Sequence, residues 1–210
     1  RNMKKSKLAT VLTIFIVFSF VQSSNAGLLF FDDFSGGVGL WTQAGTGTAT
    51  TSSVVHSSVG PLSSSSGNPY GSIYTTLGNT LSLTRTIDTT GFVNPVLSYH
   101  RAAWSFDDDD VFEISWAPTG GSFTTLESLS GYNNWDFRTW NLPSAAGNGS
   151  VDIHFSVTSG QTFGKSVGDH GLIDDVCVEA SPAAVPEPGS MILLGSGLMG
   201  MIGLRRKKII

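Results

Sequence analysis

The chain is poor in cysteine, with Cys177 as its single thiol among 210 residues. One cysteine excludes an internal disulfide framework and any metal cluster built from cysteine ligands. Because Cys177 lies in an apolar strand-like pattern, we interpret it as a small buried hydrophobe rather than as a reactive thiol. The folded part of the chain must therefore depend on its hydrophobic core.

Basic residues are scarce in the middle of the chain. Eight of the 12 Lys and Arg residues lie in residues 1–7 and 205–208, and all 16 Asp and Glu residues lie between these ends. Four basic against sixteen acidic residues give that middle part a net charge of −12. Such a field repels nucleic acid and attracts cations, so we expect no nucleic-acid partner. Plain solubility of a secreted protein is the alternative interpretation of the acidic surface.

Sequence motifs of catalysis are also missing. The four histidines form neither a His-x-x-x-His nor a His-Glu-x-x-His pattern. The sequence has no nucleophile elbow, no phosphate loop and no dinucleotide-binding glycine motif after a strand. We therefore predict a protein with no catalytic residues. Carboxylates are plentiful, however, so a small polysaccharide-acting enzyme stays the alternative.

The N-terminus has the features of an export signal. Lys4, Lys5 and Lys7 precede an apolar stretch at 8–21, and Ser24-Asn25-Ala26 forms a small-x-small cleavage site. This order predicts a secretory signal peptide over residues 1–26, recognised by the secretion machinery. A signal anchor is the alternative, but roughly 14 apolar residues are short for a membrane span.

Between the ends, the hydrophobic pattern has period two, and no window of a dozen residues carries a helical stripe. Residues 81–87, 111–116 and 151–157 alternate apolar with polar side chains, and glycine-rich turns separate them. Alternation of this kind is typical of half-buried strands. The pattern predicts an all-β domain over residues 27–181, with two antiparallel sheets packed as a sandwich.

The C-terminal part, residues 182–210, combines three features in order. Pro186, Glu187 and Pro188 form a stiff extended break, an uncharged apolar stretch follows at 189–204, and four basic residues follow at 205–208. As a helix, the apolar stretch would span roughly 24 Å, a little short of a bilayer core, with the basic side chains snorkelling to the interface. We therefore predict a single transmembrane helix here. An ordinary tail anchor or a buried apolar helix is the alternative.

This tail resembles the PEP-CTERM sorting signal of exopolysaccharide-producing Gram-negative bacteria. The resemblance implies that an exosortase in the inner membrane recognises the tail and cleaves it near Pro186-Glu187-Pro188. The protein would then be anchored transiently in the inner membrane before it reaches the cell surface or the medium.

The middle of the chain resembles the jelly-roll sandwich of MAM-type and carbohydrate-binding-module-like extracellular domains. The resemblance rests on Phe31-Asp32-Asp33-Phe34 at the start, on the strand pattern of the middle, and on the closing Ile173-Asp174-Asp175-Val176. The usual cysteines of MAM domains are absent. The resemblance implies a structural calcium ion.

Two adjacent carboxylates, Asp174 and Asp175, lie inside an apolar strand pattern. Strict alternation places Asp174 on the same face as Leu172 and Val176, and an inward carboxylate is costly unless it is paired or binds a cation. If the first and last strands are neighbours, Asp32 or Asp33 approaches this pair. We therefore predict a Ca²⁺ site formed by some of these four aspartates. The alternative is that they cap turns through backbone N–H groups.

Two further features have more than one interpretation. The run Asp107–Asp110 lacks the spacing of an EF-hand loop, and we interpret it as a solvated hairpin tip. Trp135 lies between polar neighbours and is the best candidate for an exposed platform that stacks on sugars, although packing under a loop is the alternative.

Together these features predict an exported, non-catalytic protein of the extracellular or biofilm matrix. Its sandwich would act as an adhesive or as a module that binds exopolysaccharide or other matrix components. The alternatives are a small polysaccharide-acting enzyme and a structural component that associates only with copies of itself.

Overall fold

In the computed structural model, the described residues are 26–52, 69–76, 78–143, 149–160, 168–183 and 195–197. All but the last residue of the predicted signal peptide lies outside these ranges, as do Pro186, Glu187 and Pro188. Of the predicted transmembrane helix only residues 195–197 are described, and they are helical. Within the described ranges, no helix has the length and apolar character needed to cross a membrane.

The described residues between 26 and 183 are built mainly from β-strands. In chain order they are β1 (Gly27–Asp32), β2 (Thr42–Gly45), β3 (Thr48–Ser52), β4 (Tyr70–Thr75), β5 (Thr80–Asp88), β6 (Phe92–Trp104), β7 (Val111–Pro118), β8 (Thr124–Leu129), β9 (Asn133–Asn141), β10 (Ser150–Thr158) and β11 (Asp169–Pro182).

These strands form two antiparallel sheets. Sheet A has the order β3-β4-β11-β6-β9, and sheet B has the order β2-β5-β10-β7-β8. The long strand β11 pairs with β4 through its first half and with β1 through its second half. The first and last strands are therefore neighbours, as expected. The prediction of an all-β jelly-roll sandwich of two antiparallel sheets is confirmed.

The core lies between the sheets and follows the alternation of β10. Val151, Ile153, Phe155 and Val157 are fully buried, whereas the residues between them face outward. The ring of Phe155 packs edge-on against Trp41 from the β1–β2 connection and against Tyr99 of β6. Burial of each such large side chain contributes about 1.5–3 kcal/mol to folding.

Strand β11 departs from strict alternation at a β-bulge. Asp174 pairs with His100 and Cys177 with Ser98, so that Asp175 and Val176 together face Tyr99. Asp175 adopts a φ of +49°, a left-handed conformation that aspartate tolerates better than most residues. Val176 packs in the core between the sheets, whereas Leu172 packs on the outer side of sheet A. The sequence-based assignment of Leu172, Asp174 and Val176 to one face is therefore wrong, because the bulge shifts the period.

Candidate functional site

Three aromatic side chains form a row across the outer face of sheet A. His170 of β11 pairs in register with Tyr74 of β4 on one side and with Trp104 of β6 on the other. Its ring centroid lies 4.8 Å from that of Tyr74 and 4.9 Å from that of Trp104. The Ser72 hydroxyl lies 3.1 Å from His170 Nδ1 and orients the imidazole. The three rings are half-buried, so part of each is open to a ligand.

Trp135 joins a second group of apolar side chains on the same face. Its ring meets that of Tyr70 edge-on at 5.4 Å, and both pack with Leu172 and Ala102. Leu172 is 0% exposed although it does not belong to the core between the sheets. Burial raises the pKa of Tyr70, and a hydrogen bond with Ser52 opposes that shift. Trp135 itself is half-buried, so it has both properties that the sequence left open, packing on one side and exposure on the other.

Two carboxylates and a histidine adjoin these rings because of the bulge in β11. Asp174 lies opposite His100, and its Oδ1 accepts a hydrogen bond of 2.9 Å from the Asp175 backbone N–H. Asp175 Oδ2 lies 3.4 Å from His100 Nδ1. The His100 ring is 5.0 Å from that of Phe137, which is 52% exposed. We call this surface of sheet A the ring face; it comprises Tyr70, Tyr74, His100, Trp104, Trp135, Phe137, His170, Asp174 and Asp175.

The two aspartates of β1 and its following turn lie elsewhere. Asp32 pairs with the core residue Val176, and its carboxylate accepts hydrogen bonds from Phe34 N at 2.8 Å and from Trp41 Nε1 at 2.7 Å. Asp33 Oδ1 accepts a 3.0 Å bond from the backbone N–H of Ser35. Hydrogen bonds from the Ser35 side chain and backbone lower the pKa of Asp33. Both residues thus stabilise the turn that follows β1.

These positions do not fit a calcium site shared by all four predicted ligands. Asp32 is directed between the sheets, whereas Asp174 shares the register position of His100 on the outer side of sheet A. Among the described residues, no group of three or more His, Cys, Asp or Glu side chains is arranged to hold a metal ion. Binding of Ca²⁺ itself stays a prediction.

The acidic run between β6 and β7 is only partly solvated. Asp108 and Asp109 are exposed, but Asp110 is buried and accepts hydrogen bonds from Asp107 N and, at 2.7 Å, from Gly160 N. Burial raises the pKa of Asp169 to about 6, and the nearby charges of Asp110 and Asp107 contribute to the shift. The prediction of a solvated tip is wrong for Asp110, whose partner Gly160 lies 50 residues further along the chain.

Sequence reasoning selected Trp135, Asp174 and Asp175, and the structure places all three on the ring face. It missed His170, which it considered only as a catalytic candidate, and Tyr74. Tyr70, Ser72 and Tyr74 alternate at two-residue spacing, which indicates that the tyrosines share a face. No feature of the sequence indicates which face that is.

The tail matches a known sorting motif. The PEP-CTERM protein-sorting motif family matches residues 184–207, a segment that includes Pro186, Glu187 and Pro188. The chain carries a PEP-CTERM sorting motif. This motif implies export and sorting at the membrane towards the cell surface. No match to the chain was found among curated protein sequences.

Solved structures that are similar to this chain include carbohydrate-binding modules. The structure of TmCBM61 in complex with β-1,4-galactotriose has a TM-score of 0.50 and 16% identity, and the match covers 70% of this chain and 92% of that one. The CBM22 tandem of Xyn10C from Paenibacillus barcinonensis has a TM-score of 0.49 and 16% identity. That match covers 81% of this chain and only 49% of the tandem.

An adhesin domain is also among the similar structures. The K3 adhesin domain of Lys-gingipain from Porphyromonas gingivalis has a TM-score of 0.49 and 13% identity, and the match covers 72% of this chain and 98% of that one. At these identities the similarities describe the fold.

Proposed function

We propose that this chain is an exported, non-catalytic protein of the extracellular or biofilm matrix whose sandwich binds glycans through the ring face. The observation that carries the proposal is the row of rings from Tyr74 through His170 to Trp104, with Trp135 beside it. Flat aromatic rings stack on the apolar faces of sugars, and a few fixed polar groups then select hydroxyl orientation. Asp174, Asp175 and His100 are suited to that second role.

The opposite surface of the sandwich has a different composition, which supports assignment of binding to the ring face. Across sheet B, Thr84 Oγ1 lies 2.9 Å from His154 Nδ1, and Thr80 Oγ1 lies 2.9 Å from Thr158 Oγ1. These hydroxyls bond to side chains of neighbouring strands. Phe123 is a large exposed apolar side chain on this side, and its ring centroid lies 4.5 Å from that of His154.

The two ends of the chain would determine where the sandwich acts. We propose that the signal peptide at residues 1–26 directs secretion across the inner membrane. The tail at 182–210 would then hold the protein in that membrane until an exosortase processes it near Pro186-Glu187-Pro188. The motif at 184–207 supports this route.

Binding to the producer's own exopolysaccharide tests the function. Protein isolated from the producing cells is run in native gels that contain this polysaccharide, and the same preparation is assayed for released reducing ends. We expect retarded migration and no release of sugar. Turnover that a single carboxylate substitution abolishes would instead establish the enzyme alternative. Concentration-dependent assembly without retardation would favour the self-associating alternative.

Fractionation tests the route. The mass and the location of the mature protein are compared between the full chain and a chain that ends before residue 182. We expect the full chain to lose both ends and to appear at the cell surface or in the medium. A full-length protein in the cytosol would contradict the proposed route.

A further inference from the structure

The charges on the ring face point to the class of glycan that it takes. We infer that the ring face binds sugars without acidic groups, either neutral or amino-bearing, and rejects uronate-containing and sulfated polysaccharides. This inference rests on the proposed function and narrows it.

The outer side of sheet A carries carboxylates. Asp174 and Asp175 are both buried next to the rings, and Glu179 is exposed further along β11. Among the described residues, the basic groups at outer positions of sheet A are His100 and His170. His100 lies 3.4 Å from Asp175, and His170 is bonded to Ser72. Among its described residues, the outer side of sheet A therefore presents carboxyl groups to a ligand rather than guanidinium or ammonium groups.

The described part of the chain contains three arginines and no lysine, and all three arginines occupy positions directed between the sheets. Arg101 and Arg138 pair in register with the core residues Ile173 and Tyr99. Arg85 pairs with the core residue Ile153 of sheet B.

Each of these arginines is also engaged by another group. Arg101 Nη2 lies 3.2 Å from Glu127 Oε2, and Arg138 Nη2 lies 2.9 Å from Asp136 Oδ2. The Arg85 guanidinium donates a 2.7 Å hydrogen bond to the Leu40 carbonyl and lies over the Phe30 ring. Within the described residues, the ring face thus has no guanidinium to grip a carboxylate or sulfate.

Electrostatics then separates the sugar classes. Proteins that bind carboxylate or sulfate groups use arginine forks or lysines, since like charges brought together cost several kcal/mol. A neutral sugar meets no such repulsion when it stacks on Trp104 or Trp135. An ammonium group on a sugar gains from the nearby carboxylates and from the faces of the rings.

Matched pairs of glycans test the inference, because each pair changes charge at a constant backbone. One pair is polygalacturonate and its fully methyl-esterified form, and the other is chitosan oligosaccharides and their N-acetylated forms. Binding of the mature protein is measured by calorimetry or affinity electrophoresis at low and at physiological salt. We expect the esterified form to bind at least about tenfold more tightly than polygalacturonate at low salt, with the ratio shrinking as salt rises. We expect chitosan to bind at least as well as its acetylated form.

A substitution ties the selectivity to the ring face. Asp175→Asn removes the charge nearest to His100 and keeps a residue type that tolerates the positive φ. We expect it to reduce the discrimination against polygalacturonate by about threefold at low salt. Glu113→Gln removes one charge from the outer side of sheet B and should leave the discrimination unchanged. Melting curves of both variants verify that they are folded.

The outcomes are distinct. Equal or tighter binding of the acidic member of the pectin pair overturns the inference and leaves the proposed function standing. An equal effect of Glu113→Gln and Asp175→Asn also overturns it, because the selectivity would then come from net charge. If neither member of either pair binds and the producer's polysaccharide does not bind, the proposed function fails and the inference fails with it.

Discussion

The two outer faces of the sandwich are both formed by antiparallel strands, but they differ in surface chemistry. On sheet B, the outward positions of β10 are polar and bond to threonines of neighbouring strands, as for His154 with Thr84. On sheet A, the outward positions of β4, β6 and β11 carry rings and the fully buried Leu172. The first surface is a solvated sheet exterior. The second has the composition of a contact surface.

The two central strands show how this difference is encoded. Strand β10 buries every second residue, which is the pattern of a strand with one wet face. Strand β11 buries the consecutive residues from Gly171 to Val176, which is the pattern of a strand covered on both faces. A strand that is buried on both sides in a two-layer sandwich indicates that the second side has a role beyond the core.

Removal of rings from the ring face should have the largest effect on glycan binding. Trp104→Ala and Trp135→Ala each remove a half-buried ring from the ring face. Each variant is expected to weaken glycan binding about thirtyfold or more, since aromatic residues at the centre of a binding surface typically contribute about 2 kcal/mol or more. Calorimetry with whichever polysaccharide the parent protein binds measures the loss.

Phe123→Ala is the matched control for the rings. It deletes an exposed ring, 47% accessible, that stacks on His154 of sheet B. This variant should bind like the parent protein. If it lost as much affinity as Trp135→Ala, the ring face would not be the binding surface.

Substitutions on the two outer faces should also differ in their effect on the free energy of unfolding. Leu172→Ala removes a side chain that is 0% exposed on the outer side of sheet A, and it should cost about 2–5 kcal/mol of unfolding free energy. Ser156→Ala on the outer side of sheet B should change it by no more than about 0.5 kcal/mol. Urea unfolding of the two variants measures both. If both substitutions changed the unfolding free energy by the same small amount, packing of Leu172 would not contribute to stability.

A pH-dependent effect is expected at the end of sheet A where β11 begins. Burial, together with the charge of Asp110, raises the pKa of Asp169 to about 6, so the folded state holds this proton more tightly than the unfolded chain does. The stability that the proton contributes is present below the unfolded pKa of about 3.9 and is lost as pH rises through about 6.

Asp169→Asn tests this pH dependence. The variant should gain stability relative to the parent as pH rises from 4 to 7, and the gain should level off above the folded pKa. Urea unfolding across this range gives the difference at each pH. If the difference in unfolding free energy between variant and parent were constant with pH, the raised pKa of Asp169 would be contradicted.

The smallest effect is expected from removal of calcium. The Asp32 carboxylate accepts hydrogen bonds from Phe34 N and Trp41 Nε1, and Asp33 and Asp174 accept bonds from the backbone. Because these bonds already hold the carboxylates, EDTA should lower the melting midpoint of the mature protein only slightly, and an unchanged midpoint would contradict the predicted Ca²⁺ site. A midpoint that rises with added calcium would support the sequence-based hypothesis of a structural ion, since a ligand that binds only the folded state stabilises it.

The local sequence pattern was sufficient to predict the strands and to identify some residues of the ring face. The alternation from Val151 to Val157 identified a core strand, and the polar setting of Trp135 indicated partial exposure. The strand pattern drew attention to the burial of Asp174, and both Asp174 and Asp175 are buried. The face to which they belong was assigned wrongly, because the direction of a side chain after a bulge depends on which residue of the partner strand lies opposite.

The amino-acid sequence by itself determined the class of fold and the sorting motif of the tail. Both depend on residues that are close along the chain, namely period-two strands and the ordered features of residues 184–207. Only the tertiary structure decided that Tyr74, His170 and Trp104 share a surface, and that Asp32 and Asp174 do not. These relations depend on strand pairing between segments far apart in sequence, such as Tyr74 with His170, and on a bulge at Asp175. The physical reason is that alternation specifies two faces for each strand, whereas pairing and bulges specify which faces of different strands coincide.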